Sequence, residues 1–237
     1  AHDSGWTFMN YGYKNKNQNT LNLRPEDESN RMFIQLYDYV ASQIPIKDCA
    51  VLEVGSGRGG GSSFVSRYHL PKSITGLDYS KSAIKLSNEL HGDVDNLFFK
   101  LGDAENLPFK DNTFDAVINI ESSHCYGNMK RFLSEVSRVI KPGGYFGWAD
   151  LRAKDMVEET EFAFEKSNLT CIHNNTITQE VLDALDDIHD VKMTMITNHV
   201  PKFLQSAFTD FAGAKNSKIY NSFKSGNAVY LSKVLKK

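Results

Sequence analysis

Ala50-Val51-Leu52-Glu53-Val54-Gly55-Ser56-Gly57-Arg58-Gly59-Gly60 is the stretch that decides the fold. Its first five residues, apolar but for one acid, are too few for a core helix and read as a strand buried on both faces, the habit of a parallel sheet. The glycines then turn the chain into a helix expected from about Ser62 to Tyr68. Ser73-Ile74-Thr75-Gly76-Leu77 reads as a second strand, which completes a βαβ unit.

Working outward, Ser80 suits the N-cap of a helix burying Ala83, Leu86 and Leu90, and Leu97 to Leu101 and Phe114 to Ile120 read as the third and fourth strands. Met129, Phe132, Leu133, Val136, Val139 and Ile140 keep helical spacing up to Lys141-Pro142-Gly143-Gly144, which stops the helix and turns the chain into a fifth strand, Tyr145 to Asp150. This alternation predicts a doubly wound α/β sheet with right-handed crossovers. On the N-terminal side, Phe33, Leu36, Tyr37, Val40, Ala41 and Ile44 form one face of a helix that ends before Pro45. After Arg152 the pattern weakens. It suggests a helix from Met156 to Ser167, a sixth strand from Leu169 to His173, a helix through Val181, Ala184, Leu185 and Ile188, helical segments over 190 to 215 broken near Pro201, and a closing strand from Ala228 to Val234. We see no internal repeat.

The 237 residues are 41% hydrophobic and 24% charged, ordinary values for one enlarged globular domain. Their formal charge of -2 offers no basic excess for a run of phosphates, so a nucleic-acid partner is not expected. No stretch has the 18 or so apolar residues of a membrane span, and the polar first 20 residues lack the apolar core of a signal peptide. The expectation is a soluble, cytoplasmic protein with room for peripheral membrane contact; the sequence leaves its oligomeric state open. Cys49, Cys125 and Cys171 are an odd count without a C-x-x-C, so neither a disulfide framework nor a metal site is expected.

The chemistry starts at the glycine turn, where backbone amides at a helix N-terminus receive a ligand closely. Gly55-x-Gly57-x-x-Gly60 satisfies the dinucleotide fingerprint, and Asp78, ending the second strand, suits a ribose diol in either reading. Glu53 separates the readings. Facing the ligand two residues before the first glycine, its carboxylate would repel a pyrophosphate and favour a cation such as the sulfonium and ammonium of S-adenosylmethionine. Asp103, after the third strand, is placed to accept from the adenine amine. The three acids thus share the carboxyl edge of the sheet, where ligands of such folds bind.

With these residues in view the sequence resembles the class I S-adenosylmethionine-dependent methyltransferases. The matching segments are Val51 to Gly59, Gly76-Leu77-Asp78-Tyr79-Ser80, Gly102 to Phe109, Phe114-Asp115 and Lys141 to Gly144. Within that class Asn30-Arg31, Leu36-Tyr37, Glu121 to Tyr126, Arg131-Phe132-Leu133, Gly144-Tyr145-Phe146 and Asp150-Leu151-Arg152 are similar to the phthiotriol and phenolphthiotriol dimycocerosate methyltransferases, which act on a hydroxyl of a long-chain lipid. The resemblance implies a Rossmann-like sheet of seven strands, the last antiparallel, with a helical lid. It implies S-adenosylmethionine as cofactor, S-adenosylhomocysteine as product and no metal. The cofactor is expected against Glu53, Gly55, Ser56, Gly57, Asp78, Tyr79, Asp103, Ala104 and Ile120. The organisation expected is an arm over 1–29, a cofactor-binding core over 30–152, a lid and substrate region over 153–224, and a closing strand of the core over 225–237. Phe8-Met9-Asn10-Tyr11-Gly12-Tyr13 is similar to an aromatic segment that covers the cofactor in such enzymes; a hydrophobic staple onto the first helix is the plainer reading.

A hydroxyl is a weak nucleophile until it loses its proton, so O-methylation gains from a general base. His124, four residues past the fourth strand on the cofactor edge, is the candidate, against the alternative of a histidine that caps a helix or packs in the core. Glu121 and Tyr126 flank it and are expected to position substrate. Asp150 is a second base candidate, or else a partner for Arg152 or Arg31. His69, His91, His173, His189 and His199 are expected at the surface or in packing. Met156, Phe162, Phe164, Met193, Met195, Phe203, Phe208 and Phe211 are expected to line an acceptor pocket in the lid, with a plain core for those helices as the alternative. The acceptor expected is a small molecule or lipid. The other functions in play are N- or C-methylation of a small amine or sterol-like alkene, a non-catalytic cofactor-binding regulator and, weakest, a dehydrogenase.

Overall fold

β1 (Ala50–Val54) lies inside a seven-stranded sheet, paired in parallel with β2 (Ser73–Asp78) on one side and β4 (Phe114–Ile120) on the other. Val51, Leu52 and Val54 are wholly buried, because a strand covered by helices on both faces has no solvent side toward which to alternate. The computed structural model describes residues 7–15 and 21–237; residues 1–6 and 16–20 of the expected arm lie outside the described residues.

With β3 (Leu97–Leu101), β5 (Ile140–Ala153), β6 (Thr170–Thr176) and β7 (Ala228–Lys236), the strand order is β3-β2-β1-β4-β5-β7-β6. β7 runs antiparallel to both of its neighbours, and the other pairings are parallel. The order reverses between β1 and β4, and loops at the carboxyl ends of strands diverge at such a point to leave a crevice. One core layer joins the sheet to α1 (Arg31–Ala41), α2 (Gly60–Tyr68), α6 (Thr178–Asp187) and α9 (Lys218–Ser225). The other joins it to α4 (Met129–Val139) and α5 (Val157–Glu165). α3 (Lys81–His91) packs along β2 and β3, while α7 (His189–His199) and α8 (Gln205–Phe211) form a small cluster of their own around Ile196 and Val200.

Several boundaries differ from expectation for identifiable reasons. The buried face of α1 is Ile34, Leu36, Tyr37, Val40 and Ala41, and Phe33 is half-buried because it turns toward the arm. In α3 only Ser87 is fully buried, and Ala83, Leu86 and Leu90 are half-buried. The turn at Lys141 to Gly144 exists as an irregularity inside β5: Phe114 pairs with Ile140, but Ala116 pairs with Tyr145. β6 runs on to Thr176 as an edge strand exposed along its whole length, so no apolar alternation marked its end. It also draws the sheet into the 153–224 stretch. α9 escaped the sequence reading although its signals are local: Ser217 caps it by accepting from the Tyr220 amide, and Gly226 ends it in a left-handed conformation.

Candidate active site

Gly55, Ser56, Gly57, Asp78, Tyr79, Asp103, Ala104, Ile120, Glu121, His124 and Tyr126 line one cavity of about 600 Å³ at the crevice between β1 and β4. They come from the ends of β1, β2, β3 and β4. Asp78 is set by two backbone amides, accepting from Gly57 at one oxygen and Ser80 at the other, each at 2.8 Å. Gly55 turns with φ of +78°, and a Cβ there would fall 2.2 Å from Ser122 Oγ, so the turn needs glycine on both counts. Beneath it Tyr126 Oη meets Asn119 Nδ2 and Ser122 Oγ, each at 2.9 Å, which fixes that hydroxyl as a buttress of the turn.

Glu53 is the exception among the expected cofactor residues. It is wholly buried and is not among the cavity residues; it accepts from Tyr37 Oη at 2.8 Å and from Ser62 Oγ, so it stands behind the wall that Tyr37 and Gly61 form. Burial pushes its carboxyl up to about 7 against the pull of those two hydroxyls. The expectation that it faces the ligand is corrected: α1 supplies a tyrosine that takes up the carboxylate first.

The described part of the arm packs on α1 and also reaches the cavity. Phe8 is buried against Phe33 and Tyr37, with ring centroids 6.3 and 5.9 Å away, as a staple onto α1 would be. Its neighbours Thr7, Met9 and Tyr11 meanwhile line the cavity.

His124, in the cavity lining, pairs with Asp150 behind it. Asp150 has no exposed surface; its Oδ1 accepts from His124 Nδ1 at 2.7 Å and from the Leu151 amide at 2.8 Å. Its Oδ2 accepts from Ser123 Oγ at 2.6 Å and the His124 amide at 2.9 Å, with Arg152 Nη1 at 3.2 Å. Burial opposes the Asp150 charge, but His124 and Arg152 outweigh it and hold the carboxyl below its ordinary range. An ionised Asp150 can only accept, so Nδ1 carries the proton and Nε2 is the ring nitrogen left for a ligand. Burial works to lower the His124 pKa, yet the bond to Asp150 and the charges of Asp150 and Glu121 raise it above the ordinary imidazole value. Asp150 thus pairs with Arg152, as one of its expected readings had it, and with His124 as well, while Arg31 pairs with Glu28.

Glu121 occupies a strained backbone, with φ of +49°. Its Oε2 accepts from the Tyr11 amide at 2.9 Å and from Tyr230 Oη at 2.7 Å, and burial pushes its carboxyl up to about 7. Tyr37, Ser123 and Tyr230 are not among the site residues expected from the sequence, and Tyr11 is expected only as part of the segment over the cofactor. Tyr230 lies 109 positions from Glu121, and no local pattern reports such a contact. Of the eight lid residues expected around the acceptor, only Phe211 lines the cavity. Phe164 packs on Trp148 of β5, Phe208 on the α7 cluster, and Met156, Phe162 and Phe203 are exposed, so these side chains fill core layers or turn outward. Among the described residues no group of three or more His, Cys, Asp or Glu is arranged to hold a metal ion.

The donor set suits S-adenosylmethionine. Ser56 Oγ is buried at the cavity wall without a hydrogen-bond partner. Asp78, Asp103, Glu105 and Glu121 line the cavity, with Arg58 as the one Lys or Arg among the lining residues, an electrostatic lining for a cationic ligand and a poor one for a pyrophosphate.

Comparison with known proteins gives the family and the fold. Residues 52–147 match the methyltransferase domain family model. Over 223 residues the chain is 39% identical to a phthiotriol/phenolphthiotriol dimycocerosates methyltransferase of Mycobacterium leprae, covering 94% of this chain and 82% of that protein. A fatty-acid O-methyltransferase of Mycolicibacterium smegmatis is 36% identical over 215 residues, 91% of this chain and 78% of the relative. Among solved structures, a cyclopropane synthase from Mycobacterium tuberculosis superimposes with a TM-score of 0.75 at 13% identity, covering 100% of this chain and 94% of that one. A geranyl diphosphate C-methyltransferase from Streptomyces coelicolor A3(2) does so with 0.72 at 15% identity, covering 98% and 91%.

Proposed function

The chain belongs to the S-adenosylmethionine-dependent methyltransferases, in the family of the phthiotriol/phenolphthiotriol dimycocerosates methyltransferases, and from that premise we propose that it methylates a hydroxyl oxygen of a lipid or polyketide-like molecule. The observation that carries this reading is the His124 Nδ1–Asp150 Oδ1 bond of 2.7 Å, which would orient His124, a residue of the cavity lining, as a base. An amine acceptor has less need of such a pair.

In this reading Gly55, Ser56, Gly57, Asp78 and Asp103 hold the cofactor, which when bound supplies an electrophilic methyl group. Tyr79, Ala104 and Ile120 complete its surroundings, and Glu53 acts through Tyr37 to set the wall. His124 takes the acceptor's hydroxyl proton at Nε2, while Asp150 keeps the ring in the required tautomer and stabilises the imidazolium that results. Arm residues Met9 and Tyr11 exclude water from the transfer. Glu121 helps form the acceptor end, and no metal takes part. The lid is best confined to the helices between β6 and β7, with 30–176 and 225–237 making the core. No helix among the described residues is long and apolar enough to cross a membrane. A cytoplasmic enzyme meeting its acceptor at a membrane surface completes the proposal. A methyl-transfer screen of long-chain secondary alcohols, fatty acids, amines and alkenes tests it; transfer to amines or alkenes alone would overturn it.

A further inference from the structure

α7 docks on the protein through two side chains, Lys192 and Ile196, one turn apart. Ile196 belongs to a small apolar cluster with Val200 and Ala212, but Lys192 is a cation only 6% exposed. Its Nζ donates to the Ala212 carbonyl at 2.7 Å, just past α8, and sits over the Tyr11 ring at 5.7 Å and the Phe33 ring at 5.3 Å from their centroids. Burial pulls its ammonium down to about 8, while the charge of Glu121, with which it makes no direct bond among the described residues, works the other way and favours the cation. A buried ammonium held mainly by two ring faces and one carbonyl is an expensive way to dock a helix; a methionine would fill the space without desolvating a charge. What the charge adds is direction. Cation–π attraction and the Glu121 field both draw Lys192 toward Tyr11, and the backbone of Tyr11 is bonded to Glu121, three residues from His124.

We propose that Lys192 is a positioning residue for methyl transfer, clamping the lid onto Tyr11 so that Tyr11 and Glu121 form the fixed acceptor end of the cavity. The division of labour along the arm supports this. Thr7 lies against Gly60 and Met9 beside Gly57, on the cofactor side, whereas Tyr11 meets Glu121 on the His124 side. Loss of the clamp therefore disturbs the acceptor and leaves the cofactor in place. The inference deepens the hydroxyl reading given above but has a readout that does not depend on it.

The test compares Lys192→Met, Lys192→Arg, Tyr11→Leu and the Lys192→Met/Tyr11→Leu double variant. Hydrogen exchange of the peptide spanning 7–15 needs no acceptor: Lys192→Met speeds exchange at the Tyr11 amide by about tenfold or more, and Lys192→Arg, which keeps a cation over the rings, leaves it near wild type. With a detergent-dispersed long-chain secondary alcohol as probe, Lys192→Met raises the acceptor KM or lowers kcat by about tenfold, while S-adenosylmethionine Kd stays within about threefold. The double variant is no worse than the worse single one, because both substitutions cut the same link. Additive losses, equal losses of cofactor and acceptor binding, or unchanged exchange would each overturn the clamp. Should Lys192→Met not fold, Lys192→Arg and Tyr11→Leu decide: the first must retain wild-type kinetics and the second must reproduce the split. Transfer by the wild type to amines or alkenes and to no alcohol or fatty acid would sink the hydroxyl reading and leave the exchange result to judge the clamp.

Discussion

The base proposed at His124 and the ion pair it makes with Asp150 have different pH signatures. As a base His124 works only when neutral, so the rate of transfer rises with pH through an inflection above the ordinary imidazole value, because Asp150 and Glu121 favour the charged ring. His124→Ala lowers turnover by about 10² to 10⁴ and abolishes that inflection, with cofactor affinity kept. Comparison of pH–rate profiles between the two proteins checks this. Asp150→Asn is expected to cost a similar factor for another reason: an amide can donate to Nδ1, which moves the imidazole proton to Nε2, where the base must be bare. As a structural ion pair His124 works only when charged. Its folded-state pKa is raised, so its contribution to stability is complete below the unfolded imidazole value and is lost as pH climbs through the folded one. The gap in urea midpoint between wild type and His124→Gln should therefore be widest near pH 6 and narrow by pH 9. A gap that widens with pH would contradict the assigned direction. Asp78→Ala should weaken cofactor binding by tenfold or more, since a charge-assisted hydrogen bond contributes roughly 1.5–3 kcal/mol. Calorimetric titration measures it.

Among the elements, α2 carries the sharpest steric demand. A Cβ on Gly61 would lie 1.9 Å from the Tyr37 ring, so α1 and α2 touch through a gap that only glycine leaves. Alanine in a helix ordinarily gains up to about 1 kcal/mol over glycine; here overpacking reverses the sign, and Gly61→Ala should cost about 1–3 kcal/mol by denaturant titration. It should also loosen Tyr37 from Glu53 and so weaken the cofactor wall. The elements that local chemistry specifies were legible: the buried run of β1, the glycine turn, the Ser80 cap and the helical spacing of α4 all read correctly because each depends on neighbours in sequence. Strand ends brought His124, Glu121, Asp78 and Asp103 to one edge by topology alone, and that too could be read. What stayed hidden were contacts made across the fold. Tyr37 reaching Glu53, Tyr230 reaching Glu121 and Asp150 choosing His124 as well as Arg152 follow from packing angles that no period encodes. The lid aromatics misled for the same reason: composition shows that they are numerous but not which way they turn.

For the molecule as a whole, a ligand that binds only the folded chain raises its stability. At a hundredfold excess over Kd this amounts to about 2.7 kcal/mol, or roughly 5–10 °C in Tm for a domain of this size. S-adenosylmethionine and S-adenosylhomocysteine should each produce such a shift and NAD none; a shift with NAD would return the glycine turn to its dinucleotide reading. The sheet also carries a constraint on its own assembly. β7 sits between β5 and β6, yet the ribosome makes it after every other strand. Until it emerges, β5 and β6 stand apart as two open edges with unmet backbone groups, and Glu121 lacks the Tyr230 hydroxyl that β7 brings. The nascent chain thus has to hold a strand-wide slot in reserve while the residues between Thr176 and Ala228 are made, and translation arrested before Ala228 leaves a chain with two sticky edges and an unfinished site.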